Sequence, residues 1–178
     1  MDFFSYRGFL HLGHDLSLMG AGLGLLVFLG WICAPWLAGI GPAQAGLPIA
    51  RPRVMNVLSS GSWLLLVACA GGLLISLVGL FLRWKEVRHW PAQTMYEVVP
   101  LGVTAGYLST IALYFVLGLH RRRGLARAFG DLFVALILIS GAFTLGAVLD
   151  FDPTGKPLPP ALQSYWFSTH ISAYMIGY

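Results

Sequence analysis

Charge is scarce in this sequence: Asp, Glu, Lys and Arg make up 10% of its 178 residues, against 57% hydrophobic residues. Soluble globular chains carry about a quarter charged residues, so this scarcity excludes an ordinary water-soluble domain and makes lipid the solvent for most of the chain. Cysteine is nearly missing too. Cys33 and Cys69 each lie inside an apolar run and form no Cys-x-x-Cys, which excludes a zinc knuckle and a thioredoxin-type redox pair. Both read as small buried residues. No basic cluster precedes the first apolar run, only Asp2 and Arg7, and the run has no convincing cleavage site, so it reads as an anchor and not a removable signal. Internal repeats and low-complexity tracts are lacking. The net charge of +4 sits in short gaps between apolar runs, where membrane topology explains it, so no nucleic-acid partner is expected.

What the sequence does have is long charge-free runs. A helix needs ~20 apolar residues to cross ~30 Å of hydrocarbon, and an unpaired charge there is unfavourable. The runs predict an all-α, polytopic membrane helix bundle with spans at about 16–36, 54–82, 98–119 and 132–149 and the start of a fifth at 160–178. Pro35, Pro42 and Pro48, with Gly39, Gly41 and Gly46, end the first helix near Trp36, and a loop carrying Arg51 and Arg53 follows. Arg83 to Glu97 reads as a polar, aromatic connection holding Lys85, Glu86, Arg88 and His89. His120 to Arg123, with Arg127, separates the third and fourth spans, and the fourth is about 27 Å long at 1.5 Å per residue. Asp152-Pro153-Thr154-Gly155-Lys156-Pro157 is turn-rich. The fifth run stops at Tyr178, and a terminus in hydrocarbon leaves backbone carbonyls unpaired, so the sequence reads as a fragment of a longer chain.

Alternate connections hold six and five Lys and Arg residues, which decides little. The density of arginines from Arg121 to Arg127 places that connection in the cytoplasm, so the amino terminus, the His89 loop and the Pro157 loop face outward. No charge falls within the four complete spans, which argues against a proton relay or a charged substrate pathway. Gly20 with Gly24, and Gly102 with Gly106, form small-xxx-small faces suited to close helix packing.

Among the histidines, His11, His14 and His120 lie at span edges, where an amphipathic ring sits at the headgroups. His11 and His14 are helix neighbours three apart but have no third metal ligand of the right type beside them. His170 lies inside the last apolar run, with Trp166 four residues before and Tyr174 four after, on one helical face. Ala173 and Gly177 keep part of that side low, leaving room for a flat ligand beside an imidazole able to coordinate haem iron. A histidine hydrogen-bonded within a helix bundle fits the same pattern. The Arg83 to Pro91 stretch mixes bases, tryptophans and His89, which suits haem propionates, a partner's outer surface or an ordinary aromatic belt.

Two ordered segments carry a resemblance. Arg83-Trp84, His89-Trp90-Pro91 and Met95-Tyr96-Glu97 are similar to the arginine-tryptophan, glycine-histidine-aromatic-proline and leucine-tyrosine-glutamate run of the cytochrome c biogenesis family CcsA, also called ResC, of the system II pathway. Arg88 stands where that family has glycine. Pro160-Ala161-Leu162-Gln163-Ser164, Trp166, His170-Ile171-Ser172 and Gly177-Tyr178 resemble its proline-alanine-leucine, tryptophan, histidine-valine-serine and glycine-tyrosine pattern. The resemblance implies that His170 corresponds to the first of two outward histidines that ligate haem beside a tryptophan-rich loop; it assigns no role to His89. This chain contains no Trp-Gly-x-x-Trp-x-Trp-Asp segment. The intact family acts as part of a cytochrome c synthase, or haem lyase, so the resemblance further implies haem b as ligand, apocytochrome c and a CcsB/ResB-like membrane subunit as partners, and a bacterial cytoplasmic membrane, with a thylakoid membrane as the alternative. Two other functions remain open. A cytochrome b-like electron carrier needs paired histidines on facing helices, and only His170 lies clearly inside a span; a non-catalytic scaffold or transporter fragment needs no haem.

Overall fold

The computed structural model describes residues 5–37, 52–122 and 124–154 and, within the last apolar run, residues 166, 169, 170, 173, 174 and 177. Among the described residues four helices are long and apolar enough to cross a membrane: α1 (Tyr6–Leu37), α2 (Pro52–Val87), α3 (Met95–Val116) and α4 (Leu125–Val148). A 3-10 turn at Leu119–Arg121 joins α3 to α4. There is no strand among the described residues. The chain is an integral membrane protein of the all-α class. The six described residues of the last apolar run are also helical where they touch that segment, at Trp166, Thr169, His170, Ala173, Tyr174 and Gly177; the rest of the expected fifth span, like the Pro/Gly loop at 38–51, lies outside the described residues.

The helices run past the apolar stretches that foretold them, because intrahelical hydrogen bonding does not stop where hydrocarbon does. α1 begins at Tyr6, well before Leu16, and takes in Arg7, His11, His14 and Asp15. α2 opens on Pro52, whose missing N–H is harmless in a first turn, so Arg53 is helical rather than in a loop. Arg83 to Val87 continue α2, so the connection expected from Arg83 to Glu97 shrinks to 88–94. α4 starts at Leu125, which moves Arg127 from the expected arginine-rich loop into the helix, where it is buried.

The helices alternate in direction. α1 packs against both α2 and α4, and α3 closes the other side of that pair. Ala21, Leu65, Leu66, Cys69, Tyr107, Tyr114, Val134 and Leu138 form the core. Small residues bring the backbones together: a Cβ on Gly24 would stand 2.6 Å from that of Ala135, and one on Gly141 would collide with the Tyr107 ring. The Gly20–Gly24 face thus packs within the bundle, whereas a Cβ on Gly106 would meet nothing within 4 Å. Outward-facing positions are apolar, with Leu26, Val67, Leu74 and Phe143 each well exposed, as lipid contact permits. Cys69 is buried, but Cys33 is exposed, contrary to the expectation for both. An apolar run in a membrane helix faces lipid and protein alike, so hydropathy does not distinguish them.

At one end, here the His89 end, the start of α1, the end of α2, the start of α3 and the end of α4 meet. Tyr6, Leu10, Tyr96, Leu145 and Val148 pack there. Pro100 lies inside α3 and has no N–H to give to the carbonyl of Tyr96 one turn earlier. The Tyr6 hydroxyl donates to that carbonyl instead, at 3.1 Å, and its ring meets Tyr96 edge to face with centroids 5.4 Å apart. A defect in one helix is thereby repaired by another. Tyr6→Phe leaves the buried carbonyl unpaired and is expected to destabilise the chain by about 1–3 kcal/mol. Adding Pro100→Ala returns a backbone donor, so the double variant should unfold in detergent at a higher temperature than Tyr6→Phe alone.

Candidate functional site

The His89 end is organised by two charges. Arg83, in the last turns of α2, is 2% exposed, and Glu97, in the first turn of α3, is wholly buried. Arg83 Nε donates to Glu97 Oε1 at 2.9 Å, Nη2 donates to the Pro153 carbonyl at 3.0 Å, and Nη1 lies 3.2 Å from Glu86 Oε2. The guanidinium carbon stands 5.7 Å from the Tyr6 ring centroid and 5.4 Å from that of Tyr96. The other carboxylate oxygen of Glu97 accepts from the backbone N–H groups of Gln93 and Thr94, at 3.0 and 3.3 Å. A charge this deep is tolerated when it is paired and its remaining donors or acceptors are engaged, and here both partners meet that condition. The pair ties α2 to α3 and draws in the segment after α4.

Clamped from both sides, residues 88–94 form a short, defined connection. The Arg88 N–H donates to the Trp84 carbonyl at 3.0 Å as α2 ends, and Arg88 adopts φ +62°. That left-handed conformation favours glycine, and among the described residues Arg88 is the one non-glycine residue that adopts it. The position where the resembled motif carries glycine is therefore a helix terminus that needs a positive φ. His89 is partly exposed, and its Nδ1 lies 3.0 Å from the Trp90 carbonyl. With Nδ1 donating, the lone pair is on Nε2. Trp84 and Trp90 pack edge to face at 5.8 Å beside the exposed Lys85 and Arg88, and Phe81, Trp84, Lys85 and Arg88 line an open cleft of about 530 Å³.

His170 lies in helical conformation and is exposed; Trp166 and Tyr174, four residues either side, are helical and exposed as well, at 74% and 54%. Ala173 and Gly177 are also exposed. At helical spacing Trp166, His170 and Tyr174 share one stripe. His89 lies apart from this stripe along the chain, on the connection between α2 and α3. Among the described residues no three His, Cys, Asp or Glu side chains are grouped to hold a metal ion; His14 meets Asp15 at 3.0 Å, and His11 is partly exposed.

Sequence reasoning missed a second polar centre at the opposite end. Asp131 of α4 is fully buried and accepts hydrogen bonds from the Ser62 hydroxyl, from Trp31 Nε1 at 3.2 Å and from the Tyr114 hydroxyl at 3.3 Å. It lies one residue before the fourth apolar run, so a count of charges within spans passes over it. Its partners come from three other helices, which no local pattern reveals.

Two comparisons bear on these sites. Over 132 residues, 74% of the chain, the sequence is 32% identical to the cytochrome c biogenesis protein CcsA of Parasynechococcus marenigrum (strain WH8102), and this match covers 40% of that protein. The chain is CcsA-like. CcsA of Chlamydomonas reinhardtii is 28% identical over 130 residues, 73% of the chain and 32% of its own length. The CcsA-like chain thus spans less than half the length of these curated relatives. No family model matches it, and no solved structure does.

The ion pair and the positive φ give opposite predictions. Arg83→Gln strands the buried Glu97 carboxylate and is expected to destabilise the chain by about 3–5 kcal/mol, whereas Arg88→Gly relieves the left-handed strain and stabilises it by about 1 kcal/mol. Thermal unfolding of the two variants against the parent chain in one detergent measures both.

Proposed function

We propose that the intact protein serves cytochrome c assembly, receiving haem b at the outer face of the membrane and presenting it to an apocytochrome c. The observation that carries this reading is the likeness to two CcsA proteins along nearly three quarters of the chain. The exposed Trp166, His170 and Tyr174 stripe supports it chemically. A neutral imidazole offers one nitrogen to haem iron, the flanking aromatic rings cover the macrocycle, and the small Ala173 and Gly177 leave that side low enough for a flat ligand. His170 acts as an axial ligand and not as an acid or base.

In this reading the protein supplies position, and the reactivity belongs to the porphyrin. Held by its iron, the haem turns its vinyl edge toward the Cys-x-x-Cys-His segment of the apocytochrome. Each thiol then adds across a vinyl double bond, sulfur to one carbon and hydrogen to the other, and no atom is lost. Trp166 and Tyr174 hold the plane of the ring, and the preorganised His89 loop faces the same side of the membrane. The His89 end is the outer one, set by the arginine-rich connection at the other end. The membrane is the cytoplasmic membrane of a bacterium, and residues 1–178 are the amino-terminal part of a longer CcsA/ResC-like protein. A tryptophan-rich haem loop and a second outward histidine lie outside this chain, and a CcsB/ResB-like subunit completes the assembly.

The test uses the full-length protein purified from membranes. His170→Ala is expected to lose most of the haem absorbance, and added imidazole to restore it by occupying the vacated coordination position. Haem content and spectrum unchanged by His170→Ala would remove that residue from the ligand role; a permanently bound bis-histidine haem that quinol reduces would replace the assembly reading with an electron carrier.

A further inference from the structure

The end of the bundle remote from His89 holds a group of donors that the haem reading does not use. The 3-10 turn at Leu119–Arg121 folds back onto α4, with Leu119 lying against Gly130. Arg127, in the first turn of α4, is 4% exposed and uses Nη1 to donate to the His120 carbonyl. Its Nε and Nη2 are buried and have no hydrogen-bond partner among the described residues. Those two nitrogens form the edge of the guanidinium that presents parallel N–H groups to a carboxylate or phosphate. His120 Nε2 accepts from Arg121 Nε at 3.1 Å, which puts the ring proton on Nδ1, and Nδ1 is likewise buried without a partner among the described residues.

Three buried N–H donors thus gather beside one turn with no acceptor supplied. Each unmade bond is destabilising, and more so on a charged group. α4 begins at the same place, and its N-cap is Gly124, which has no side chain to satisfy the free N–H groups of the first turn. Arg121 and Arg122 are exposed alongside. The carboxylate whose field reaches Arg127 is Asp131, but its oxygens are taken by Ser62, Trp31 and Tyr114, and among the described residues it makes no ion pair with Arg127. A water molecule accepts two hydrogen bonds. A tetrahedral oxyanion accepts all of them and balances the arginine charge.

We propose that the corner formed by His120, Arg127 and the first turn of α4 binds a phosphate oxyanion, the headgroup phosphate of a membrane lipid or a free phosphate. The Nε/Nη2 edge of Arg127 grips two phosphate oxygens, His120 Nδ1 donates to a third, and Arg121 and Arg122 supply the surrounding positive field.

Native mass spectrometry of the full chain, released from phosphatidylcholine vesicles containing phosphatidylglycerol, tests this. The parent chain is expected to retain one phosphatidylglycerol, with the apparent Kd rising about tenfold in Arg127→Gln and in Arg127→Lys, which keeps the charge but loses the fork. His120→Asn should weaken retention as well, while Lys85→Gln at the opposite end leaves it unchanged. Inorganic phosphate at millimolar concentration separates the sources. Displacement of the lipid identifies free phosphate as a ligand of the corner, and persistence identifies the headgroup; either result supports the oxyanion site if the Arg127 dependence holds. If Arg127→Gln does not fold, Arg127→Lys and His120→Asn decide. Lipid and phosphate binding equal to the parent in these variants would mean that the donors meet only water, and would overturn the proposal.

Discussion

A polar group buried away from water is costly unless it is paired, and the packing at the His89 end answers that constraint. The Arg83–Glu97 pair is its fullest expression: two charges made tolerable by each other, by the Pro153 carbonyl and by the backbone N–H groups of Gln93 and Thr94. The same constraint explains Tyr6, whose hydroxyl serves the carbonyl that Pro100 leaves without a partner. Because both devices use atoms from different helices, they fix how the helices meet as well as satisfying local chemistry. Removing Arg83 or Tyr6 therefore loosens the seam between helices and not a single contact.

The two ends of the bundle meet the constraint differently. At the His89 end donors and acceptors are matched around Arg83 and Glu97, and the result is a rigid frame around a short aromatic and basic loop. At the other end the carboxylate of Asp131 is supplied by three neutral donors, while Arg127, one turn away, keeps two N–H groups without acceptors. The first arrangement suits a surface that positions something; the second suits a surface that receives an anion. In the proposed orientation the frame lies on the outer face, with haem, and the unmatched donors lie on the inner face, near headgroup phosphates.

Much of the fold was legible because hydropathy reports hydrocarbon depth directly. The four charge-free runs became α1 to α4, and the break near Trp36 fell within a residue of the end of α1 at Leu37. What hydropathy does not report is which side of an apolar helix meets protein, so Cys33 proved exposed, nor where a helix stops once it leaves lipid, so Arg53, Arg83 and Arg127 proved helical. The site was legible in part. The motif residues Arg83, Tyr96 and Glu97 were visible in order along the chain, but their convergence on Tyr6 and Pro153 depends on tertiary packing. Asp131 left no local signal, since its partners Trp31, Ser62 and Tyr114 lie on other helices. The departure at Arg88 found a physical meaning, because the family's glycine coincides with a position of positive φ.

Sidedness joins these threads, because the proposed function requires the His89 end to face outward and the proposed anion site to face inward. The direct measurement replaces Cys33 and Cys69 in the full-length protein, places a single cysteine at Asp152 or at Arg122, both exposed, and labels intact cells with a membrane-impermeant maleimide. Asp152→Cys is expected to be labelled in intact cells and Arg122→Cys only after the membrane is opened. Labelling of Arg122→Cys from outside, with Asp152→Cys protected, would contradict it.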